Sequence, residues 1–216
     1  MERVKGGELF NRITEKVTYS EKSACKIFKN ILDAIKHCHE HNIAHRDLKP
    51  ENILLSSKEN DTTIKITNFN FAAYAHASQQ LTTQCGTQGY VAPEILNGES
   101  YGTKVDMWSL GVILYILLGG YQPFIEDDQK KLFKRIKKGD YEYHKEWWVD
   151  VSVDAKKCIS SLLTVDPSKR LSAKKALSNK WIKTAGKKPP SKSPSSKKNV
   201  TRQRDTKRNG HRCRLD

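Results

Sequence analysis

The run His45-Arg46-Asp47-Leu48-Lys49-Pro50-Glu51-Asn52 gathers, in eight residues of a 216-residue chain, three kinds of group that can do chemistry together. Asp47 is a carboxylate able to accept or orient a proton. Lys49 follows two residues later with an ammonium, and Asn52 three residues after that with a carboxamide whose oxygen is a neutral metal ligand. Phosphoryl transfer from ATP needs these groups close together, because its catalysis is mostly positioning and charge stabilisation. The plain alternative is a polar loop that carries the residues without using them.

A second cluster, His37-Cys38-His39-Glu40-His41, lies just ahead of His45. His37 and His41 stand at i and i+4, the spacing of a zinc pair on one helical face. We read the cluster instead as the end of a helix, where histidine is favoured by the dipole.

The elements that must hold these residues are legible in the periodicity. From Ser20 to Glu40, residues Ala24, Ile27, Phe28, Ile31, Leu32 and Ile35 recur at helical spacing, with Ser20 as the N-cap. Ile43-Ala44, Ile53-Leu54-Leu55 and Ile64-Lys65-Ile66 are too short for helices and suit small strands around the loop. Residues 68–94 read as a loop. A buried helix is predicted over 105–118, ending at Gly119-Gly120, and further helices near 128–138, 152–163 and 172–177.

The formal charge is +15, and twelve Lys or Arg against two Asp place +10 of it in residues 183–216. That segment is rich in Pro, Ser and Lys and nearly devoid of apolar residues, so it reads as a disordered basic tail. Its charge suits polyanions. Five widely spaced cysteines (Cys25, Cys38, Cys85, Cys158, Cys213) argue for a reducing compartment rather than a disulfide framework. No secretory signal is evident, and the longest apolar run, 107–120, is short of the ~20 residues a membrane span needs. The expected location is cytoplasmic, with the nucleus as the alternative.

Further motifs follow the first in a fixed order: Gly6-Gly7-Glu8-Leu9-Phe10 before it, then Cys85-Gly86-Thr87-Gln88-Gly89-Tyr90-Val91-Ala92-Pro93-Glu94, Val105-Asp106-Met107-Trp108-Ser109-Leu110-Gly111-Val112 and Asp166-Pro167-Ser168-Lys169-Arg170. Together with H-R-D-x-x-x-x-N they resemble the large lobe of a serine/threonine protein kinase, nearest to the calcium/calmodulin-dependent kinases, over residues 1–182. The resemblance implies a mainly helical (α+β) lobe with a small β-ribbon around the catalytic loop. It implies transfer of the γ-phosphate of ATP, with Mg²⁺, to Ser or Thr of protein substrates. Asp47 would be the catalytic base, Lys49 would steady the γ-phosphate, Thr87 would bond both, and Asn52 would hold a metal ion. Glu2, Val4, Glu8 and Leu54 would line the nucleotide side, with Leu54 under the adenine. Glu8 and Glu51 would accept hydrogen bonds from a substrate arginine, so substrates basic around the target are expected. Glu94 would pair with Arg170, Asp106 would cap the catalytic loop, and Thr83 would be a phosphorylation site whose phosphate pairs with Arg46.

Two departures stand beside the matches. The metal-binding D-F-G is Asn68-Phe69-Asn70, which leaves carboxamides as both protein ligands for a cation that favours carboxylates. No Gly-rich loop or V-A-I-K lysine is found in these residues, and Met1 lines up with the hinge between lobes, so the small lobe is expected to be absent. The expectation is therefore a kinase by family that is catalytically deficient as a polypeptide. The alternatives are a pseudokinase acting as a protein-binding scaffold, or a fragment of a longer active kinase from an incomplete gene model. The tail lacks the bulky apolar anchors of a calmodulin-binding helix, so it does not support calmodulin as a partner.

Overall fold

The computed structural model describes residues 4–15, 19–58, 60, 62–76, 78 and 80–184. Glu2, and the expected tail apart from Lys183 and Thr184, lie outside the described residues.

Two long helices form the centre. Helix α2 (Glu21–Glu40) starts where the hydroxyl of Ser20 accepts from the Ser23 amide at 3.2 Å, and it buries the predicted stripe Ala24, Ile27, Phe28, Ile31, Leu32 and Ile35. Helix α4 (Lys104–Gly119) is apolar all round, as a helix surrounded by protein must be, and it packs on α2. It stops at Gly120, whose φ of 80° closes the last turn in a conformation that glycine adopts without a Cβ penalty. Around this pair, α7 (Val153–Leu162) lies on α4, and α8 (Ala173–Leu177) and α9 (Lys180–Lys183) lie on α2. The Glu21 carboxylate joins three of these helices. It accepts from the Ser152 amide at 2.6 Å, the Ser152 hydroxyl at 2.7 Å and the Trp181 indole at 2.9 Å.

The β structure is small. Strand β1 (Ile43–Ala44) pairs antiparallel with β4 (Ala73–Tyr74), and β2 (Ile53–Leu55) pairs antiparallel with β3 (Ile64–Ile66), Ile53 opposite Ile66. The loop 45–52 runs from β1 to β2, so a ribbon anchors each of its ends. The lobe is mainly helical, with its few strands gathered around that loop.

Residues 68–94 are not the uniform loop expected. They contain a 3₁₀ turn (Phe69–Phe71), the strand β4 and the start of α3 (Pro93–Leu96). Two residues of strand carry no periodicity, and the partner of β4 lies thirty positions earlier in the chain. For the same reason the short helices α1 (Leu9–Glu15), α6 (Lys145–Trp148) and α9 were not anticipated. The helix near 128–138 is α5 (Gln129–Lys138), capped by the Asp128 carboxylate on the Lys131 amide at 2.8 Å and packed on α3.

Candidate active site

Asp47 is 5% exposed, and its carboxylate is held from two sides. The Thr87 hydroxyl donates to Oδ1 at 2.6 Å, and the Asn52 amide donates to Oδ2 at 3.1 Å and to the Asp47 carbonyl at 2.7 Å. Lys49 donates to the Thr87 hydroxyl at 2.9 Å and stands 3.8 Å from Asp47 Oδ2. One carboxylate and one ammonium thus share a hydroxyl that both donates and accepts. Such an arrangement can orient an incoming hydroxyl at Asp47 while Lys49 faces negative charge on a transferred group.

The loop keeps this geometry because Asp106, at the start of α4 and fully buried, accepts from the amides of His45 and Arg46 at 2.9 Å each. His39 lies 2.8 Å from the same carboxylate. Arg46 sits at φ 68°, a conformation that side chains other than Asn or Asp rarely adopt, and the two amide bonds hold it there. The His45 ring bridges the Thr67 carbonyl at 2.9 Å and the Asp47 amide at 3.3 Å, which puts the ring proton on Nε2. The rings of His39 and His45 are therefore engaged with the loop, while those of His37 and His41 lie against each other with centroids 4.5 Å apart.

Thr87 reaches Asp47 because its segment runs close over the loop. A Cβ on Gly86 would lie 3.1 Å from the Arg46 carbonyl, and Gly86 has φ 123°, so only glycine fits there without strain. Beyond it, Glu94 and Arg170 form a bidentate pair at 2.7 and 2.9 Å, with Arg170 1% exposed. The remaining donors of Arg170 go to the carbonyls of Thr164, Lys104 and Val165, and its guanidinium lies over the Trp108 ring.

On the other side, residues 5–8 lie along β2. Gly6 donates to Leu55 at 2.9 Å, Leu55 donates to Gly7 at 2.8 Å, and Glu8 faces Leu54. This places α1 against the turn 50–52 and brings Glu8 toward Glu51. Val4 and Leu54 are half-buried. Glu51 Oε2 is buried and has no hydrogen-bond partner among the described residues. Its carboxyl pKa is pushed up, chiefly by burial, with Lys49 opposing the rise and Glu8 and Asp47 adding to it.

Asn68 stands in the left-handed conformation at φ 62°, and its amide donates to Asn52 Oδ1 at 3.1 Å. The Asn52 amide is fixed by its two bonds to Asp47, so the oxygen that would have to ligate a cation already faces an N–H. One bond thus joins the two side chains, and neither is charged. These residues do not fit a divalent cation held by protein oxygens.

Thr83 and Arg46 are not paired through the threonine side chain. The Tyr101 hydroxyl donates to the Thr83 carbonyl at 2.5 Å and accepts from Arg46 Nη1 at 3.0 Å, while Arg46 Nε bonds the Phe71 carbonyl. Leu81 and Tyr101 exchange backbone bonds at 2.8 Å each way. Tyr101 was missed from the sequence because it belongs to none of the motifs; only its partner Arg46 lies in one.

A family profile for the protein kinase domain matches residues 1–182. Myosin light chain kinase A of Dictyostelium discoideum is 48% identical over 184 residues, 85% of this chain and 62% of that protein. Calcium/calmodulin-dependent protein kinase type IV of Homo sapiens is 45% identical over 183 residues, 84% of this chain and 39% of that protein. The type 1 enzyme of Macrobrachium nipponense is 45% identical over 182 residues, 84% of this chain and 52% of that protein. The chain thus spans between 39% and 62% of the length of these curated relatives.

Proposed function

The chain belongs to the protein kinase family, and on that premise we propose that it is a serine/threonine protein kinase of the calmodulin-kinase kind that is catalytically deficient as this polypeptide. The family's reaction moves the γ-phosphate of ATP to a protein hydroxyl with the help of Mg²⁺. In this chain Asp47 would take or orient the hydroxyl proton, positioned by Thr87 and Asn52. Lys49 would neutralise charge on the transferred group. Val4 and Leu54, with Glu2, would meet the nucleotide. Glu8 and Glu51 would take a basic side chain of the substrate, for which a bidentate arginine is the chemical complement.

The observation that carries the deficiency is the Asn68–Asn52 hydrogen bond at 3.1 Å. A carboxylate at 68 would repel the Asn52 oxygen and leave both free for a cation; a carboxamide instead bonds it. We expect the 216-residue protein, given MgATP and a basic Ser/Thr peptide, to transfer no more phosphate than its Asp47→Ala form. We also expect Asn68→Asp to bind Mn²⁺ at least about tenfold tighter than the parent, a difference of about 1.4 kcal/mol, read as cation-dependent thermal stabilisation. Turnover that Asp47→Ala abolishes, or equal Mn²⁺ affinity of the two forms, would overturn the proposal.

A second reading, a protein-binding scaffold without turnover, draws on Glu51. Glu51 and Glu8 lie close enough for their charges to interact, while Asn68 is bonded to Asn52. A basic peptide that binds the chain without nucleotide would favour it.

A further inference from the structure

Residues 1–182 hold 27 Lys and Arg against 22 Asp and Glu, a surplus of five. Helix α5 alone carries six basic residues in ten and no acid, so the rest of the lobe is slightly acidic and the positive surplus sits on this one helix. Lys130, Lys131, Lys134, Lys137 and Lys138 are all exposed. At 3.6 residues per turn they fall within an arc of about 120° and a length of about 12 Å, opposite the buried Ile136. Of the neighbouring acids, Asp127 is exposed before the helix starts, and the others are engaged elsewhere. Glu126 and Asp140 both pair with Arg135, and Asp128 caps the helix. Among the described residues none of the five lysines makes an ion pair.

Folding gains nothing from this pattern. Like charges at i,i+4, as in Lys130–Lys134 and Lys134–Lys138, repel each other. Lys130 and Lys131 lie in the first turn, where the helix dipole disfavours cations. Only Lys137 and Lys138 are placed as the dipole prefers.

We propose that the lysine stripe of α5 is a docking surface for an acidic segment of a partner protein. Charge complementarity names the chemistry. The position of the helix names a protein as its source, because α5 packs on α3, directly after the segment that brings Thr87 to Asp47. Helix α5 thus lies near the segment beside Asp47, where a substrate Ser or Thr would arrive. The stripe exposes no aromatic face on which a base could stack, and it is built of lysine rather than the arginine that reads base edges. Docking of a substrate in particular rests on the kinase reading above; the charge stripe does not.

The test is binding of a fluorescent twelve-residue Asp/Glu-rich peptide to the full chain, read by anisotropy at low and physiological salt. Lys130→Gln/Lys134→Gln/Lys137→Gln should weaken it about tenfold, as expected for three exposed charge pairs. Three Lys→Gln changes at 192, 197 and 198, which remove the same charge, should weaken it clearly less than the α5 changes do. Gln129→Lys with Lys134→Gln keeps the net charge but moves a charge off the stripe, and it should weaken binding measurably. All these side chains on α5 are exposed, so the fold is left intact. Equal losses from the α5 and 192–198 variants, or no loss on moving the charge, would overturn the proposal. So would duplex DNA of matched charge binding more tightly with the same α5 dependence. Because the readout is binding, absence of docking and absence of turnover are observed separately.

Discussion

Glu51 carries a charge that the fold has partly removed from water without giving one of its oxygens a partner. Its pKa is raised in the folded state, so the ionised form is the disfavoured one there. The stability linked to this group is whole below the ordinary carboxylate range and is lost as pH rises through the folded value. Glu51→Gln should therefore stabilise the protein by about 1 kcal/mol at pH 7, the scale of an unsatisfied buried acceptor. The gain should close below about pH 4, where the parent carboxyl is protonated in both states. Urea unfolding at the two pH values measures this, and a less stable variant at pH 7 would mean that the oxygen is satisfied in solution. The same change should weaken binding of an arginine-containing peptide, since a neutral amide cannot accept a bidentate charge-assisted pair. On the proposed substrate role, function and stability are opposed at this residue. Asn68 is different: its amide has a partner in Asn52 Oδ1, and on the proposed reading its effect falls on chemistry.

At the scale of elements, the buried pair Glu94–Arg170 ties α3 to the turn that follows α7 and to the start of α4, through the Lys104 carbonyl. Every donor of the guanidinium has an acceptor, so its burial is tolerable only as a complete set. Arg170→Met would leave Glu94, which is 3% exposed, as an uncompensated charge. The expected loss is about 3–5 kcal/mol. Adding Glu94→Gln should recover part of it, because the orphaned charge, and not the missing contact, dominates the loss. Thermal or urea denaturation of the single and double variants separates the two causes. If the single variant loses less than about 1 kcal/mol, the pair is solvated in a way the structure does not show. Loop 80–84 is clasped to residue 101 by backbone pairing and by the Tyr101 hydroxyl, whose pKa is pushed up to about 12, chiefly by burial. A phosphate on Thr83 would have to share Arg46 with that hydroxyl.

For the whole molecule, three concentrations of charge stand out: the acidic pair Glu8 and Glu51, a basic helix, and the +10 of residues 183–216. Polyanion binding through the last of these should be steeply salt-dependent, because counterion release scales with the number of charges engaged. Neutralising the Lys and Arg of 187–214 should bring elution from heparin forward at low salt and make no difference at high salt; identical elution at low salt would exclude the segment from such contacts. The sequence by itself determined which reactive groups this protein has and where its long helices lie. The Asp47, Lys49 and Asn52 spacing, the stripe of α2, and the Asn at 68 are local facts, set by covalent neighbours and by the helical repeat. Only the tertiary structure decided what those groups touch. Thr87 meets Asp47 across forty positions, and Asp106 fixes the loop from sixty away. Asn68 bonds Asn52, Tyr101 takes Arg46, and Glu51 keeps a buried oxygen that no described residue bonds. These contacts arise where packed elements cross, and no periodicity along the chain records which residues a crossing will bring together.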